Sequence, residues 1–250
     1  EDSAPLALTL TTAAALAPAD IISSLTPKDA GVQIVDRGQD FAVLRSTSTT
    51  IDSAGQSTST TSDVTLLENG LHYFADGAWR LSQDIVEPFP GGAVASHGPY
   101  KTIFSPELKT DAVFDIQTAE GQRARGGVRA IQLTDRSTGK RVVLGTVKAS
   151  VPGEVVPPNQ VVYRSGFDGL EADVLFVWRH NSISQNVILK KRPVLPDGLN
   201  PATTRLEVVT ELVESPDPVL NSGILKEPGK PDLRDDATIG LGSLLAVRGK

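Results

Sequence analysis

Cysteine is absent from all 250 residues, which removes disulfides, thiolate nucleophiles and cysteine-ligated zinc or iron–sulfur centres together. Stability must then come from packing. Imidazole is scarce as well: the three histidines, His72, His97 and His180, stand far apart, and neither His-x-His nor His-Glu-x-x-His occurs. The sequence thus predicts no resident metal or organic cofactor. Calcium alone stays open, because Asp232, Asp235 and Asp236 in a loop would supply enough oxygen ligands without any EF-hand or nonapeptide spacing. A solvated acidic patch is the simpler reading of those three residues.

Basic runs are missing too. The 24 lysines and arginines are scattered, the formal net charge is −6 and the pI is about 5.1, a balance that repels phosphate backbones and excludes nucleic acid as the expected partner. Long apolar runs are missing: a bilayer-spanning helix needs about 20 residues, whereas the longest candidate, residues 11–25, is broken by Pro18 and Asp20. No transmembrane segment is therefore expected. No stretch sustains a helical period either, and this lack predicts an all-β chain with very little helix.

Catalytic patterns are equally thin. No Gly-x-Ser-x-Gly elbow is present. His97 follows Ser96 in a glycine-rich loop and is the most plausible base, but neighbours in a loop rarely form a nucleophile–base pair, and a solvated loop histidine explains it better. His72 and His180 read as a strand and a turn residue. Asp168, Glu171 and Asp173 are the densest acids in an apolar setting, and Asp173 reads as a hydrogen-bonding acid at a strand start. Trp79 and Trp178 are the candidates for stacking on sugar rings, yet both lie in alternating segments where core packing accounts for them. The chain is not expected to be an enzyme.

What is present is turn chemistry. The chain holds 22 glycines and 17 prolines within an ordinary globular composition, 39% hydrophobic and 22% charged, which suits short strands joined by frequent turns. The clearest local signal is Asp76-Gly77 between residues 71–75 and 78–82, a hairpin that places Trp79 and Leu81 toward the core. A second hairpin is expected for residues 128–133 and 141–147 and a third for 172–179 and 182–190 around His180-Asn181. Further strands are expected at 32–35, 41–46, 100–104, 112–118, 161–163, 205–213 and 239–247. The Ser/Thr clusters at 46–50 and 57–62 suit either a flexible stalk or a polar hairpin, with the flanking Ile51 and Val64 favouring the hairpin. Residues 88–98 read as a glycine- and proline-rich break.

These elements predict an antiparallel β-sandwich over residues 27–214, as one domain or two sub-sheets. It is preceded by an extension at 1–26 and followed by an extended segment, 215–250, that ends in a strand. The extension differs from the rest, with almost no charge after Asp2 and with Leu6, Leu8 and Leu10 at strand period. Residues 18–25 suit a helical turn. We read residues 5–16 as a strand that either completes its own sandwich or pairs with a neighbouring subunit, Leu6, Leu8 and Leu10 being the candidate assembly residues.

From about Leu66 onward the chain resembles the N-terminal region of very large secreted bacterial proteins, some of which carry Rhs-type repeats farther along. The residues that carry the resemblance include Glu68-Asn69-Gly70-Leu71-His72-Tyr73, Asp76-Gly77-Ala78-Trp79, Gly91-Gly92-Ala93-Val94-Ala95 and Thr138-Gly139-Lys140. It continues through Asn159-Gln160-Val161-Val162-Tyr163, Phe167-Asp168-Gly169, Ala172-Asp173-Val174 and the run from Gly198-Leu199-Asn200 to Leu206-Glu207-Val208. It departs at Ile183-Ser184-Gln185-Asn186, where such proteins tend to read Phe-Glu-Gln-Asp. The resemblance implies export, with a signal removed before Glu1, together with β structure and membership in a larger assembly or polypeptide; it brings no activity with it. The expected function is a secreted structural or adhesive module, self-associating through strand pairing, with a carbohydrate-binding module as the alternative and an uncharacterised hydrolase third.

Overall fold

The structure, a computed structural model, describes residues 32–225 and 234–247. The expected strand at 5–16 with Leu6, Leu8 and Leu10, the helical turn at 18–25, Asp232 and the side chains of Asp235 and Asp236 lie outside the described residues. The chain divides into two compact units, Glu1–His72 and Tyr73–Lys250.

In the first unit β1 (Val32–Gly38), β2 (Phe41–Ile51) and β3 (Ser57–Leu67) form an antiparallel meander in the order β1-β2-β3. The Ser/Thr clusters do pair as a polar hairpin, in unbroken register from Phe41↔Leu67 to Ile51↔Ser57. Only Ala42 and Leu44 of β2 are buried, so apolar packing cannot be what holds the outer half. Hydroxyl pairs across the strands substitute for it, Ser46–Ser62 at 2.8 Å and Thr49–Ser59 at 3.0 Å, with Arg45 bidentate on Asp63. Asp52 closes the turn by accepting the backbone N–H groups of Ala54 and Gln56.

The division between the units falls within β4 (His72–Ala75), after His72; β4 forms a hairpin with β5 (Ala78–Leu81), turning at Asp76 and Gly77, both of which have positive φ (52° and 77°) as a two-residue hairpin turn of this kind requires. Nine further strands follow: β6 (Glu87–Phe89), β7 (Gly92–Ala95), β8 (Tyr100–Phe104), β9 (Phe114–Thr118), β10 (Arg123–Asp135), β11 (Arg141–Val147), β12 (Gly153–Val156), β13 (Gln160–Tyr163) and β14 (Phe167–Asp168). Then come β15 (Ala172–Arg179), β16 (Ser182–Leu189), β17 (Thr204–Glu214), β18 (Pro218–Leu225), β19 (Arg234–Leu241) and β20 (Leu244–Val247). One sheet runs β14-β11-β10-β9-β8-β7-β6 with β17 added to β10; another runs β12-β13-β15-β16; β18-β19-β20 form a third. All strand pairings are antiparallel, and no helix occurs among the described residues.

Two expectations need correction. Residues 88–98 are not a break, because Gly92 (φ 132°) lets the chain reverse into a β6–β7 hairpin where any Cβ would sit 2.0 Å from the Phe104 carbonyl oxygen. Pro88 is tolerated there because β6 is an edge strand. Residues 239–247 are not one strand but the end of β19 and all of β20, divided at Gly242 (φ 63°), whose turn is held by Gln122 Oε1 accepting from the Ser243 backbone N–H and hydroxyl.

The two larger sheets share one core. Phe104, Val128 and Ile131 from the first meet Val161, Tyr163, Val174, Phe176 and Trp178 from the second. Tyr100 lies 5.4 Å from Trp178 and Phe104 lies 5.5 Å from Phe176, centroid to centroid. Ala172, Val174, Phe176 and Trp178 share the inward face of β15, as their period-two spacing predicts.

Candidate functional site

β10 organises the site. It pairs with β17 along one edge over Arg125–Asp135, while the other edge is divided between β9, over Arg123–Gly126, and β11, over Ala130–Thr134. Residues directly opposite in an antiparallel pair share a face. Ile131 and Leu133, both buried, sit opposite Val208 and Leu206, and Gly126 sits opposite Leu212. Leu206, Val208 and Leu212 of β17 therefore lie on the core-facing side of the sheet, yet they are 45%, 40% and 40% exposed. This row runs past the cover that the second sheet provides.

The charges of β17 do not guard it. Glu207 accepts from Thr134 Oγ1 at 2.6 Å and Gln132 Nε2 at 2.9 Å, Glu211 pairs with Arg129 at 2.6 Å and Glu214 with Arg125 at 3.3 Å, so each acid is drawn back onto β10. The Thr134 hydroxyl, with Gln132, holds the Glu207 carboxyl below its ordinary range. Opposite the row stands β16, the last strand of the second sheet, and the Gln185 side chain bridges to β17 by donating to Thr210 Oγ1 at 2.8 Å. A shallow cavity of about 210 Å³ extends the groove, lined by Leu133, Pro193, Leu195, Pro201 and Leu206 among others.

Asp135 holds the far wall, a role that sequence reasoning missed. Nearly inaccessible (1% exposed), it accepts from Thr203 Oγ1 at 2.6 Å, from the Ser137 hydroxyl at 2.7 Å and from the Ser137 backbone N–H at 2.9 Å. The Thr203 and Ser137 hydroxyls keep its carboxyl well below the usual carboxylate range. Asp-x-Ser at 135–137 is an Asx-turn signal, but nothing in the spacing points to Thr203, 68 residues later.

The opposite flank, between β6 and β12, carries an open cavity of about 390 Å³ lined by Phe89, Ala93, Val155 and Val161 among others, but its edges are set with prolines. Pro88, Pro90, Pro106, Pro152, Pro157 and Pro158 crowd it, and backbone bonds from Val86 N–H to the Pro158 carbonyl and from Gly153 N–H to the Pro106 carbonyl, both 2.8 Å, staple the sheets together. Proline at an edge blocks strand addition by removing the donor. β16 and β17 contain no proline.

The chemically suggestive residues are drawn into structural bonds. His97 is not paired with Ser96: its ring nitrogens engage Tyr73 Oη at 3.3 Å and Glu87 Oε2 at 3.2 Å, long contacts that tie the loop to β4 and β6. His180, buried in the β15–β16 turn, meets Asp84 Oδ1 through Nδ1 at 2.6 Å and through its backbone N–H at 2.8 Å. Burial pushes the Asp84 carboxyl up, and the bonds from His180 outweigh it and bring it below its ordinary value. The three acids noted together diverge: Asp173 is buried and bonded to Ser165 N–H and Lys190, Glu171 pairs with Lys191, and Asp168 lies in β14 opposite Thr146. Among the described residues no group of three His, Asp or Glu gathers as a metal site. Trp178 is fully buried; Trp79 is half-buried, edge-on to the exposed Phe74 at 5.3 Å.

His72 carries a pH dependence. It is buried in the first unit with Nδ1 2.9 Å from the Gly38 carbonyl oxygen. Burial lowers its pKa below 6.5, the Gly38 bond opposes this and the Arg37 charge adds to it. An unfolded His72 takes a proton as the pH falls below about 6.5 while the folded one resists. The contribution is thus fully present above that pH and is lost as pH falls toward the lower folded value. Amide protection in β1–β3, corrected for intrinsic exchange, is expected to decline between pH 7 and pH 5, and His72→Gln to remove the slope. Flat protection in the unsubstituted protein would count against this account.

Comparison of the chain with protein-family models, curated proteins and solved structures finds no match. The site has to be read from its own geometry. An apolar row on the inner face of an edge strand, an unguarded backbone and a facing wall form an arrangement that accepts an extended chain.

Proposed function

We propose that the chain is an exported bacterial structural or surface module, non-catalytic and free of resident cofactors, that assembles by strand pairing. One observation carries the reading: β17, eleven residues long, pairs with β10 on one edge and with no other strand among the described residues, exposes Leu206, Val208 and Leu212 on its inner face and turns its acids away, whereas the edges of the opposite flank carry prolines. A long edge in that condition invites another strand. The resemblance to large secreted proteins supports export and assembly. Light scattering and electron microscopy of the purified chain test the reading: species larger than the monomer are expected, and a strict monomer at every accessible concentration would sink it.

A second reading rests on Phe74, 62% exposed and packed edge-to-face with the half-buried Trp79 beside the Asp76–Arg80 ion pair. An aromatic face next to polar groups suits a sugar ring. Glycan-array binding by a monomer, lost in Phe74→Ala, would favour this reading over assembly.

A further inference from the structure

We propose that the groove between β16 and β17 is the acceptor for a strand donated by residues 5–16 of a second copy of this chain. The proposal rests on the assembly reading and names its donor, its edge and its polarity. Leu6, Leu8 and Leu10 repeat every second residue, the spacing that sends side chains to one face of a strand. The inner row of β17 is Leu206, Val208, Thr210 and Leu212, at the same period, and a strand pairing with the outer edge sets its own alternate residues beside that row. The segment is uncharged from Ser3 to Ala19, which suits a row whose neighbouring acids are bound on the other face. Gln185 adds an independent mark. Its Nε2 donates to Thr210 of β17, while its Oε1 is buried without a hydrogen-bond partner, so the contact between β16 and β17 leaves an acceptor unsatisfied beside the groove.

The three-stranded β18–β20 sheet also exposes apolar side chains, but it makes a poorer acceptor. Val219 and Leu220 are adjacent in sequence, 59% and 70% exposed, and so project from opposite faces. A strand added there would cover one face only. Because the donor segment and the β17 edge are different patches, contact between copies is heterologous and repeats head to tail, producing a filament instead of a closed dimer.

The absence of cysteine makes the test direct. Leu6→Cys, Leu8→Cys and Leu10→Cys variants are each mixed with a Val208→Cys variant under mild oxidation, and Val155→Cys on the proline-guarded flank is the control acceptor. Disulfide-linked dimers are expected from at least one mixture with Val208→Cys, from no single variant alone and from no mixture with Val155→Cys. Val208→Lys, at a 40% exposed position, is expected to fold with an unchanged melting temperature and to lose the larger species. Crosslinks to Val155→Cys, or persistence of the larger species in Val208→Lys without any crosslink, would overturn the acceptor while leaving assembly intact. A Leu8→Cys/Val208→Cys double variant that closes only within one chain would overturn donation between copies. A monomeric unsubstituted protein would remove the assembly reading itself, and this proposal with it.

Discussion

Replacing Phe176 with alanine is expected to destabilise the second unit by roughly 3–5 kcal/mol, the range for emptying a buried phenylalanine site. The side chain is 1% exposed and lies at the centre of the shared core: Phe104 at 5.5 Å and Phe114 at 6.0 Å come from one sheet, Tyr163 at 6.2 Å from the other. Alanine would remove the apolar area and three ring contacts together. The neighbours have little room to collapse, since Tyr163 is anchored by its hydroxyl to the Ser105 carbonyl at 2.6 Å. A typical domain has only about 5–15 kcal/mol in total, so the variant should show a large fall in denaturation midpoint or fail to fold at 37 °C. Phe74→Ala is the contrast: exposed on its hairpin, it is expected to change stability by about 0.5 kcal/mol. Urea titration of both variants followed by tryptophan fluorescence makes the comparison. A Phe176→Ala cost near that of Phe74→Ala would mean that the two sheets do not depend on one core.

The parts of this fold that were legible in the sequence are those set by local chemistry. Asp76-Gly77 dictates its turn because both residues must take positive φ, and period-two alternation in residues 172–179 reports which side of β15 faces inward. The Ser/Thr hairpin could be favoured because threonine suits a pleated strand even where no core lies beneath it. What escaped was non-local. The β6–β7 hairpin was hidden by prolines that usually signal loops, and only its edge position explains why they are tolerated. The division between β19 and β20 depends on Gln122, more than a hundred residues away in sequence. The groove could not be foreseen either. Residues 204–214 look like any half-buried strand, and their special status comes from running beyond the cover of the second sheet, which no spacing encodes. Leu6, Leu8 and Leu10 show strand period in the sequence, but they lie outside the described residues.

Gly126→Ala is expected to have the second large effect, and it ties the fold to the proposed assembly. A Cβ at this position would lie 2.2 Å from the Glu211 carbonyl oxygen and 3.0 Å from a methyl group of Leu212, both on β17. The nearer clash is with backbone, so no rotamer change relieves it, and the strands have to separate where Gly126 opposes Leu212. Gly127 beside it is equally confined, its Cβ position falling 2.8 Å from Val113. This glycine pair sits where β9 leaves β10, between the register shifts at Arg125/Gly126 and Val128/Ala130, and lets the strand carry three neighbours. Overpacking of this kind costs roughly 1–3 kcal/mol, paid here mainly as loss of the β10–β17 ladder. Hydrogen exchange should therefore accelerate in β17 before it does in β13 and β15, and the larger species should diminish because the acceptor edge is no longer held in register. Gly121→Ala separates the clash from simple glycine strain: its φ is +82° with nothing within 4 Å of the added Cβ, so it should cost about 1 kcal/mol and leave assembly intact. Equal behaviour of the two variants in exchange and in particle size would show that close approach of β17 at Gly126 matters neither to the sheet nor to the contact between copies.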